Sequence, residues 1–205
     1  MGKAAVIIEW KDYARVAIAL RDNQEWRNLL IWTMGGYTAY RASDYVDLTW
    51  GFILGKDAIT IVEKKHRWMS KAGRRVSFGE EILQIIEECR QHLNPYSLPH
   101  HSLFKGDRGP RAKSLTKRGL NVVLKNIAKR YNLRTDISAH SLRKCFAIHV
   151  YHSNGANHEA LMIVQAMLGH SSPETTKIYL GIDQARIINI YKNISIYGNR
   201  LPIPQ

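Results

Sequence analysis

Residues 139–143 read Ala-His-Ser-Leu-Arg, and this stretch decides how the rest of the chain is interpreted. Two further stretches follow it, Leu-Gly-His-Ser-Ser at 168–172 and Thr-Thr-Lys-Ile-Tyr at 175–179. His140 and Arg143 are three residues apart, so they share one face at the start of a helix. Each pattern alone is weak, because a His-x-x-Arg pair, a lone histidine or one of ten tyrosines more often serves packing. Their order and spacing carry the information.

The composition predicts a globular protein that binds a polyanion. The 205 residues are 45% hydrophobic and 23% charged, which suffices for a folded core and argues against a disordered chain. Thirty Lys and Arg stand against 17 Asp and Glu, a formal net charge of +13. So large a charge favours nucleic acid over a membrane surface as the partner. The basic stretches 64–75 and 105–130 supply the expected DNA-binding residues, which are Lys64, Arg67, Lys71, Arg74, Lys113, Lys117 and Arg118.

The small number of cysteines and the absence of ligand motifs exclude several classes of protein. Cys89 and Cys145 alone cannot build a disulfide framework or a four-cysteine zinc site, and they indicate a reduced, cytoplasmic compartment. No apolar run is long enough for a membrane span, and the N-terminus has no signal-peptide pattern. The chain has neither His-x-x-x-His spacing nor a phosphate-binding Gly-x-x-x-x-Gly-Lys loop, so we expect no metal and no cofactor.

Hydrophobic spacing predicts a mainly helical chain with one small sheet. The Gly35-Gly36 pair predicts the end of the second helix, and Thr116 predicts an N-cap. Helices are expected at 11–20, 24–36, 39–48, 79–92, 116–131, from about Ser141, at 157–168 and at 183–193. Strands are expected at 50–54, 57–63 and 74–78, where β-branched and aromatic residues cluster. The predicted fold class is therefore α+β, mainly helical, with a small three-stranded antiparallel sheet.

The three opening stretches resemble the signature of the tyrosine recombinase (phage integrase) family. That signature is a His-x-x-Arg box, a Leu-Gly-His about two and a half dozen residues later, and a nucleophilic tyrosine nine residues after that histidine. His140, Arg143, His170 and Tyr179 fall in this register. The resemblance covers about residues 10–195 and implies the fold of the family's catalytic domain.

The resemblance also assigns residues upstream. The run Gly36 to Asp44, followed by Leu-Thr-Trp at 48–50, matches a Gly-x-x-Arg-x-x-Glu helix in which Arg41 is the first catalytic arginine. Asp44 stands where the family has a glutamate that supports the site. The family has a lysine on the turn between the second and third strands. Lys65 is the preferred candidate, and Lys64 and Lys71 are its competitors.

The implied activity is site-specific DNA recombination, for integration, excision or resolution, through a covalent 3′-phosphotyrosyl intermediate. Tyr179 would attack the phosphorus, because tyrosine can hold the strand as an ester. Arg41 and Arg143 suit the charge on the transition-state oxygens, since guanidinium is always protonated and its donor fork grips two oxygens. Tyr191 and Tyr197 are rival nucleophiles in principle, but neither is preceded by a Leu-Gly-His, so Tyr179 is preferred.

The remaining roles concern protons. His170 would add a donor to the phosphate, His140 would accept or relay the proton of the tyrosine, and Lys65 would protonate the leaving 5′-oxygen. Two alternatives remain: relaxation of DNA in the manner of a type IB topoisomerase, which uses the same chemistry, and a DNA-binding regulator without catalysis on the same fold.

We expect residues 1–205 to form a single catalytic domain without the family's N-terminal core-binding domain, either as a compact recombinase or as a catalytic fragment. The expected partners are double-stranded DNA and further copies of the chain, in a tetramer at the synapse. The segment 183–205 is expected either to dock on a neighbouring protomer or to pack on its own.

Overall fold

A computed structural model describes residues 6–62, 73–93, 99–105, 114–133 and 136–182. Within these residues the chain has the expected α+β, mainly helical fold. The elements are α1 (Trp10–Asp22), α2 (Trp26–Tyr37), α3 (Ala42–Tyr45), α4 (Trp50–Ile53), β1 (Ala58–Ile61), β2 (Arg74–Ser77), α5 (Glu80–Leu93), α6 (Lys117–Arg130), α7 (Ala139–Ser153), α8 (His158–Leu168) and α9 (Pro173–Leu180). Outside the described residues lie the expected helix at 183–193 and Lys64, Lys65, Arg67, Lys71 and Lys113.

Side-chain caps set where two of the helices begin. Thr116 accepts the backbone N–H of Gly119 at 3.1 Å, which confirms it as the N-cap of α6. Ser172 accepts the N–H of Thr175 at 3.2 Å, and Pro173 occupies the first position of α9. Proline suits that position, because its missing N–H would have no partner there.

Glycine has different functions at the ends of α2 and α8. Gly169 ends α8 with φ of +61°, the left-handed conformation that glycine adopts readily. The prediction that Gly35-Gly36 ends the second helix is wrong, because α2 continues to Tyr37. A Cβ atom at Gly36 would lie 2.6 Å from the ring of Tyr13, and one at Gly35 would lie 2.9 Å from the side chain of Leu142, so Gly36 lets α1 pack closely on α2 and Gly35 does the same for α7.

The described sheet has two strands rather than the expected three. The strand prediction for 50–54 is wrong, because these residues form the short helix α4. Trp50 and Ile53 are both buried at a spacing of three, which one helical turn satisfies and an extended strand does not. β1 and β2 pair antiparallel in the register Ala58–Ser77, Ile59–Val76, Thr60–Arg75 and Ile61–Arg74.

One helical prediction needs correction, and one helix was not expected. The helix expected at 39–48 is reduced to α3, and Ala39 has φ of +48°, which a continuing right-handed helix cannot contain. The helix α9 was not predicted at all, although it carries Tyr179.

The core has two hydrophobic clusters, and α7 lies between them. The large cluster draws mainly on α1, α2, α5 and α6, and its fully buried members include Trp32, Phe104, Leu20, Leu120 and Leu124. The small cluster joins α7, α8 and α9 through Ala39, Ala147, Tyr151, Ala160, Leu161, Val164, Leu168 and Leu180. None of the helices in the described ranges combines the length and the apolar character needed to cross a bilayer.

Candidate active site

Arg143 is the buried centre of the site. It lies in the second turn of α7 and is only 2% exposed. One guanidinium nitrogen donates to the carbonyl of Ala39 at 2.6 Å, and the other donates to the carbonyl of Leu168 at 2.5 Å. The guanidinium also interacts with the hydroxyl of Tyr179, whose pKa it acts to lower. Arg143 therefore joins the α2–α3 connection, the end of α8 and α9.

Arg41 directly precedes α3 and is half-buried beside Arg143. Burial and the positive charge of Arg143 lower the pKa of Arg41, and the carboxylate of Asp44 opposes this shift. Asp44 is itself buried, and its charge acts on Arg143 as well. A buried carboxylate whose charge acts on two guanidinium groups offsets their mutual repulsion. The structure thus brings both predicted arginines together with the aspartate that replaces the glutamate.

The hydroxyl of Tyr179 lies among these charged groups. Its ring meets the ring of His140 edge to face at 5.1 Å and that of His170 at 5.3 Å. The hydroxyl makes a long contact of 3.5 Å with the backbone carbonyl of His140. Burial raises the pKa of Tyr179 to about 12, while Arg143 and Arg41 act to lower it. Only ~1 in 10⁵ of such phenols is ionised at pH 7, so a role as nucleophile would require a proton acceptor.

His140 is the second residue of α7, in a form suited to accept such a proton. The hydrogen bond from the N–H of Ser138 to the hydroxyl of Ser141, at 3.2 Å, fixes the first turn around it. The residue is exposed by surface area, yet the protein around its ring removes enough water to lower its pKa, and Arg143 lowers it further. His140 is therefore neutral at pH 7.

His170 follows the left-handed turn that ends α8. Its backbone N–H donates to the carbonyl of Gln165 at 3.1 Å, and its own carbonyl accepts the side-chain amide of Gln165 at 3.2 Å. Its Nδ1 atom lies 3.1 Å from the hydroxyl of Thr176, which is fully buried in α9. The ring orientation is thus fixed from the same helix that carries Tyr179.

Arg74 joins β2 to the segment that precedes Arg41. Its guanidinium donates to the carbonyl of Thr38 at 2.9 Å and stacks 4.1 Å over the ring of Tyr40. The hydroxyl of Tyr40 in turn donates to the backbone carbonyl of Arg74 at 3.0 Å. Burial lowers the pKa of Arg74 to about 10, so it stays charged at pH 7. Its predicted contact with DNA stays a prediction beside this internal role.

The other predicted site residues are placed less completely. Lys117 and Arg118 are exposed in the first turn of α6. Lys65 and its competitors belong to residues 63–72, which the structure does not describe. Thr38, Tyr40 and Thr176 were not identified from sequence; the Thr-Thr pair before Tyr179 was noted, but only as part of the motif. Among the described residues, no His, Cys, Asp or Glu group is suited to hold a metal ion.

Comparison with known proteins identifies relatives of this fold and motif. Tyrosine recombinase XerD of Listeria monocytogenes serotype 4b (strain F2365) is 32% identical over 139 residues, which are 68% of this chain and 38% of XerD. Tyrosine recombinase XerC of Mesorhizobium japonicum (strain LMG 29417 / CECT 9101 / MAFF 303099) is 32% identical over 171 residues, which are 82% of this chain and 50% of XerC. The chain thus spans half or less of the length of these two relatives.

A solved structure supports the same fold. The Tn1549 transposon integrase, in complex with a circular intermediate DNA, superposes with a TM-score of 0.65 at 17% identity, covering 93% of this chain and 67% of that one. The model of the phage integrase family matches residues 9–186. The described helices, the Arg143 cluster and this match over most of the sequence lead to one conclusion: the chain belongs to the phage integrase family.

Proposed function

We propose that this chain is the catalytic domain of a site-specific DNA recombinase that cleaves and rejoins DNA through a 3′-phosphotyrosyl link to Tyr179. The observation that carries the proposal is the placement of Tyr179: its ring contacts those of His140 and His170, and the positive charges of Arg143 and Arg41 act on its hydroxyl. A phenol beside a fixed cation is positioned to attack a phosphodiester, and the cation is positioned to neutralise the charge of that phosphodiester.

The reaction breaks one P–O bond and forms another. The phenolic oxygen of Tyr179 attacks the phosphorus, the bond to the 5′-oxygen breaks, and the strand remains attached through its 3′-phosphate. Rejoining is the reverse step with a 5′-hydroxyl as the attacking group. Because one ester replaces another, the bond energy is retained and no cofactor is required.

The two arginines would stabilise the charge that develops on the non-bridging oxygens. Arg143 is held by two backbone carbonyls, so its donors are oriented before DNA binds. Arg41 lies close enough for its charge to act on both Arg143 and Tyr179. Fixed donors of this kind are worth roughly 3–4 kcal/mol each in comparable oxyanion sites.

Proton transfer would involve the two histidines and a lysine. His140 is neutral because burial and Arg143 lower its pKa, so it can accept or relay the proton of Tyr179. His170 would donate to a phosphate oxygen. We assign protonation of the leaving 5′-oxygen to Lys65, with Lys64 and Lys71 as the competing candidates.

DNA binding would use the positive charge around this site. The net charge of +13 and the exposed Lys117 and Arg118 support a phosphate-contacting surface at α6. Affinity should fall steeply with salt, because each neutralised phosphate releases condensed counterions. We extend the same role to Lys64, Arg67, Lys71, Arg74 and Lys113.

We favour recombination over relaxation by a topoisomerase, because the relatives reported above are named as recombinases and an integrase. Exchange of four strands calls for four protomers. Light scattering of the complex with a duplex that carries two sites should give four chains, and a complex of one or two chains would contradict the tetramer.

The function is tested by covalent capture on nicked duplex DNA from a randomised pool. Wild-type protein should form an adduct that survives denaturing electrophoresis, and Tyr179→Phe should form none while binding DNA within about threefold of wild type. Tyr151→Phe is the matched control, because its hydroxyl donates to the carbonyl of Ala156 at 2.7 Å outside the site. An adduct formed by Tyr179→Phe would contradict the proposal.

A further inference from the structure

Thr176 is a fully buried polar residue on the helix that carries Tyr179. Its hydroxyl oxygen lies 3.1 Å from Nδ1 of His170 and 3.4 Å from the backbone carbonyl of Ser172. A hydroxyl has one hydrogen, so it can donate to only one of these two acceptors at a time. Which acceptor receives that hydrogen determines which nitrogen of His170 carries the ring proton.

Distance favours Nδ1 as the acceptor. The contact of the Thr176 hydroxyl with the carbonyl of Ser172, the N-cap of α9, is 3.4 Å long and lies beyond the usual range of an O–H···O hydrogen bond. Nδ1 of His170 is the nearer atom by 0.3 Å, the difference between the 3.4 Å and 3.1 Å contacts. A neutral imidazole that accepts at Nδ1 carries its proton on Nε2.

We propose that Thr176 is a positioning residue that donates its hydrogen to Nδ1 of His170 and thereby keeps the ring proton on Nε2. This inference rests on the proposed function for its consequence: a neutral Nε2–H group can donate to a phosphate oxygen of bound DNA. In the opposite arrangement, Nδ1–H would donate to Thr176. Nε2 would then be an acceptor and could bind a phosphate oxygen only after a second protonation.

The groups around His170 explain why its tautomer matters for donation to a phosphate. The titratable and charged groups beside it include, among the described residues, Tyr179 on α9 and Arg143 on α7, whose guanidinium binds the carbonyl of Leu168 at the end of α8. A ring that donates while neutral adds no positive charge near these groups. It also keeps donating above the ordinary histidine pKa of ~6.5.

The tautomer is measured directly by long-range proton–nitrogen NMR on the full chain labelled with ¹⁵N-histidine at pH 8. The His170 signal is identified by its loss in His170→Gln. We expect a protonated Nε2 and an unprotonated Nδ1, the same pattern in Thr176→Ser, and a mixture of tautomers in Thr176→Val. A protonated Nδ1 in the wild type overturns the proposal; this result is measured on the wild-type protein, and His170→Gln serves only to assign the signal.

Adduct formation on nicked duplex gives the second readout. Thr176→Val should slow it about tenfold at pH 8, with partial recovery at pH 6, where the imidazolium donates from both nitrogens. Thr176→Ser should stay within about threefold of wild type at both pH values. Equal rates for Thr176→Val and wild type at pH 8 would overturn the proposal. Absence of any adduct from the wild type, with Nε2 found protonated, would contradict the proposed function and leave the Thr176 assignment standing.

Discussion

The large and small hydrophobic clusters hold different parts of the candidate active site. The large cluster packs bulky side chains such as Trp32 and Phe104 between several long helices. The small cluster packs alanines and single aliphatic residues between α7, α8 and α9. Arg41 follows a helix of the large cluster, whereas Tyr179 belongs to α9 in the small one. Tyr179 and Arg41 are therefore supported by separate packing units.

This difference predicts where the molecule opens most easily. The helix α9 has eight residues, and of its side chains only Thr176 and Leu180 are buried. Short helices depend on tertiary packing, and segments with few buried apolar contacts open at the lowest free energy. Arg143 lies on α7, which contributes side chains to both clusters, and it binds the carbonyls of Ala39 and Leu168, which both belong to the small one. Its hydrogen bonds connect the segment just before Arg41 to the end of α8.

The largest effect is expected from Arg143→Ala, which removes that connection. Each carbonyl left without its donor costs about 1–3 kcal/mol of unfolding free energy, measured by chemical denaturation. The adduct-forming rate should fall by at least about 10²-fold, since one fixed donor is lost. Arg130→Ala is the control, because the Arg130 side chain is 63% exposed in its ion pair with Glu25, and a pair with so exposed a partner contributes about 1 kcal/mol or less. Equal stability of the two variants would contradict the bridging role.

Matched leucine truncations compare the two clusters directly. Leu120 in the large cluster and Leu168 in the small one are both fully buried. Each truncation to alanine should cost about 2–5 kcal/mol, with Leu120→Ala at the upper end because more side chains surround it. Hydrogen exchange of the α9 amides should accelerate at least tenfold more in Leu168→Ala than in Leu120→Ala. Equal acceleration would mean that α9 opens together with the large cluster.

A smaller effect is expected where Arg74 attaches the sheet to the large cluster. Arg74→Ala should lower the unfolding free energy by about 1–2 kcal/mol, through loss of the hydrogen bond to Thr38 and the stacking on Tyr40. Arg74→Lys should recover only part of the lost unfolding free energy, since an ammonium group is not planar and does not stack on the ring of Tyr40. A loss of DNA affinity in Arg74→Ala above about tenfold, at unchanged stability, would show a surface role instead.

The smallest effect concerns the titration of His140. Its pKa is lowered by burial and by Arg143, so the folded state favours the neutral ring. This contributes stability that is present above the unfolded value of ~6.5 and is lost as the pH falls below it. NMR titration should give a midpoint below 6.5 in the wild type and a higher one in Arg143→Ala. A wild-type midpoint above 6.5 would contradict the neutral acceptor.

The motif spacing in the sequence was enough to bring the site residues together, but not to predict the packing around them. His140, Arg143, His170 and Tyr179 follow a fixed register, so their proximity could be inferred from a resemblance. The helix α9 was missed although Ser172 and Pro173 are good start signals, because it is short and Ile178 on it is 76% exposed. Hydrophobic periodicity carries little information in such a segment.

Errors at 50–54 and at Gly35-Gly36 have a common physical cause. A short apolar run does not distinguish a buried helical turn from a strand, and a glycine pair does not distinguish a helix end from a close helix contact. The position of the neighbouring elements determines which structure forms; at Gly36, for example, the ring of Tyr13 leaves no room for a side chain. The partnership of Thr176 with His170 likewise depends on the angle between α8 and α9, which sequence spacing does not contain.

The central claim is that the hydroxyl of Tyr179 becomes bonded to DNA. Its most direct test is mass spectrometry of the wild-type adduct formed on nicked duplex, after digestion with trypsin and nuclease. Cleavage after Lys177 and Arg186 isolates a peptide of residues 178–186 with one tyrosine. We predict a nucleotide attached to that tyrosine. An adduct on Tyr191, or on any other residue, would contradict the account.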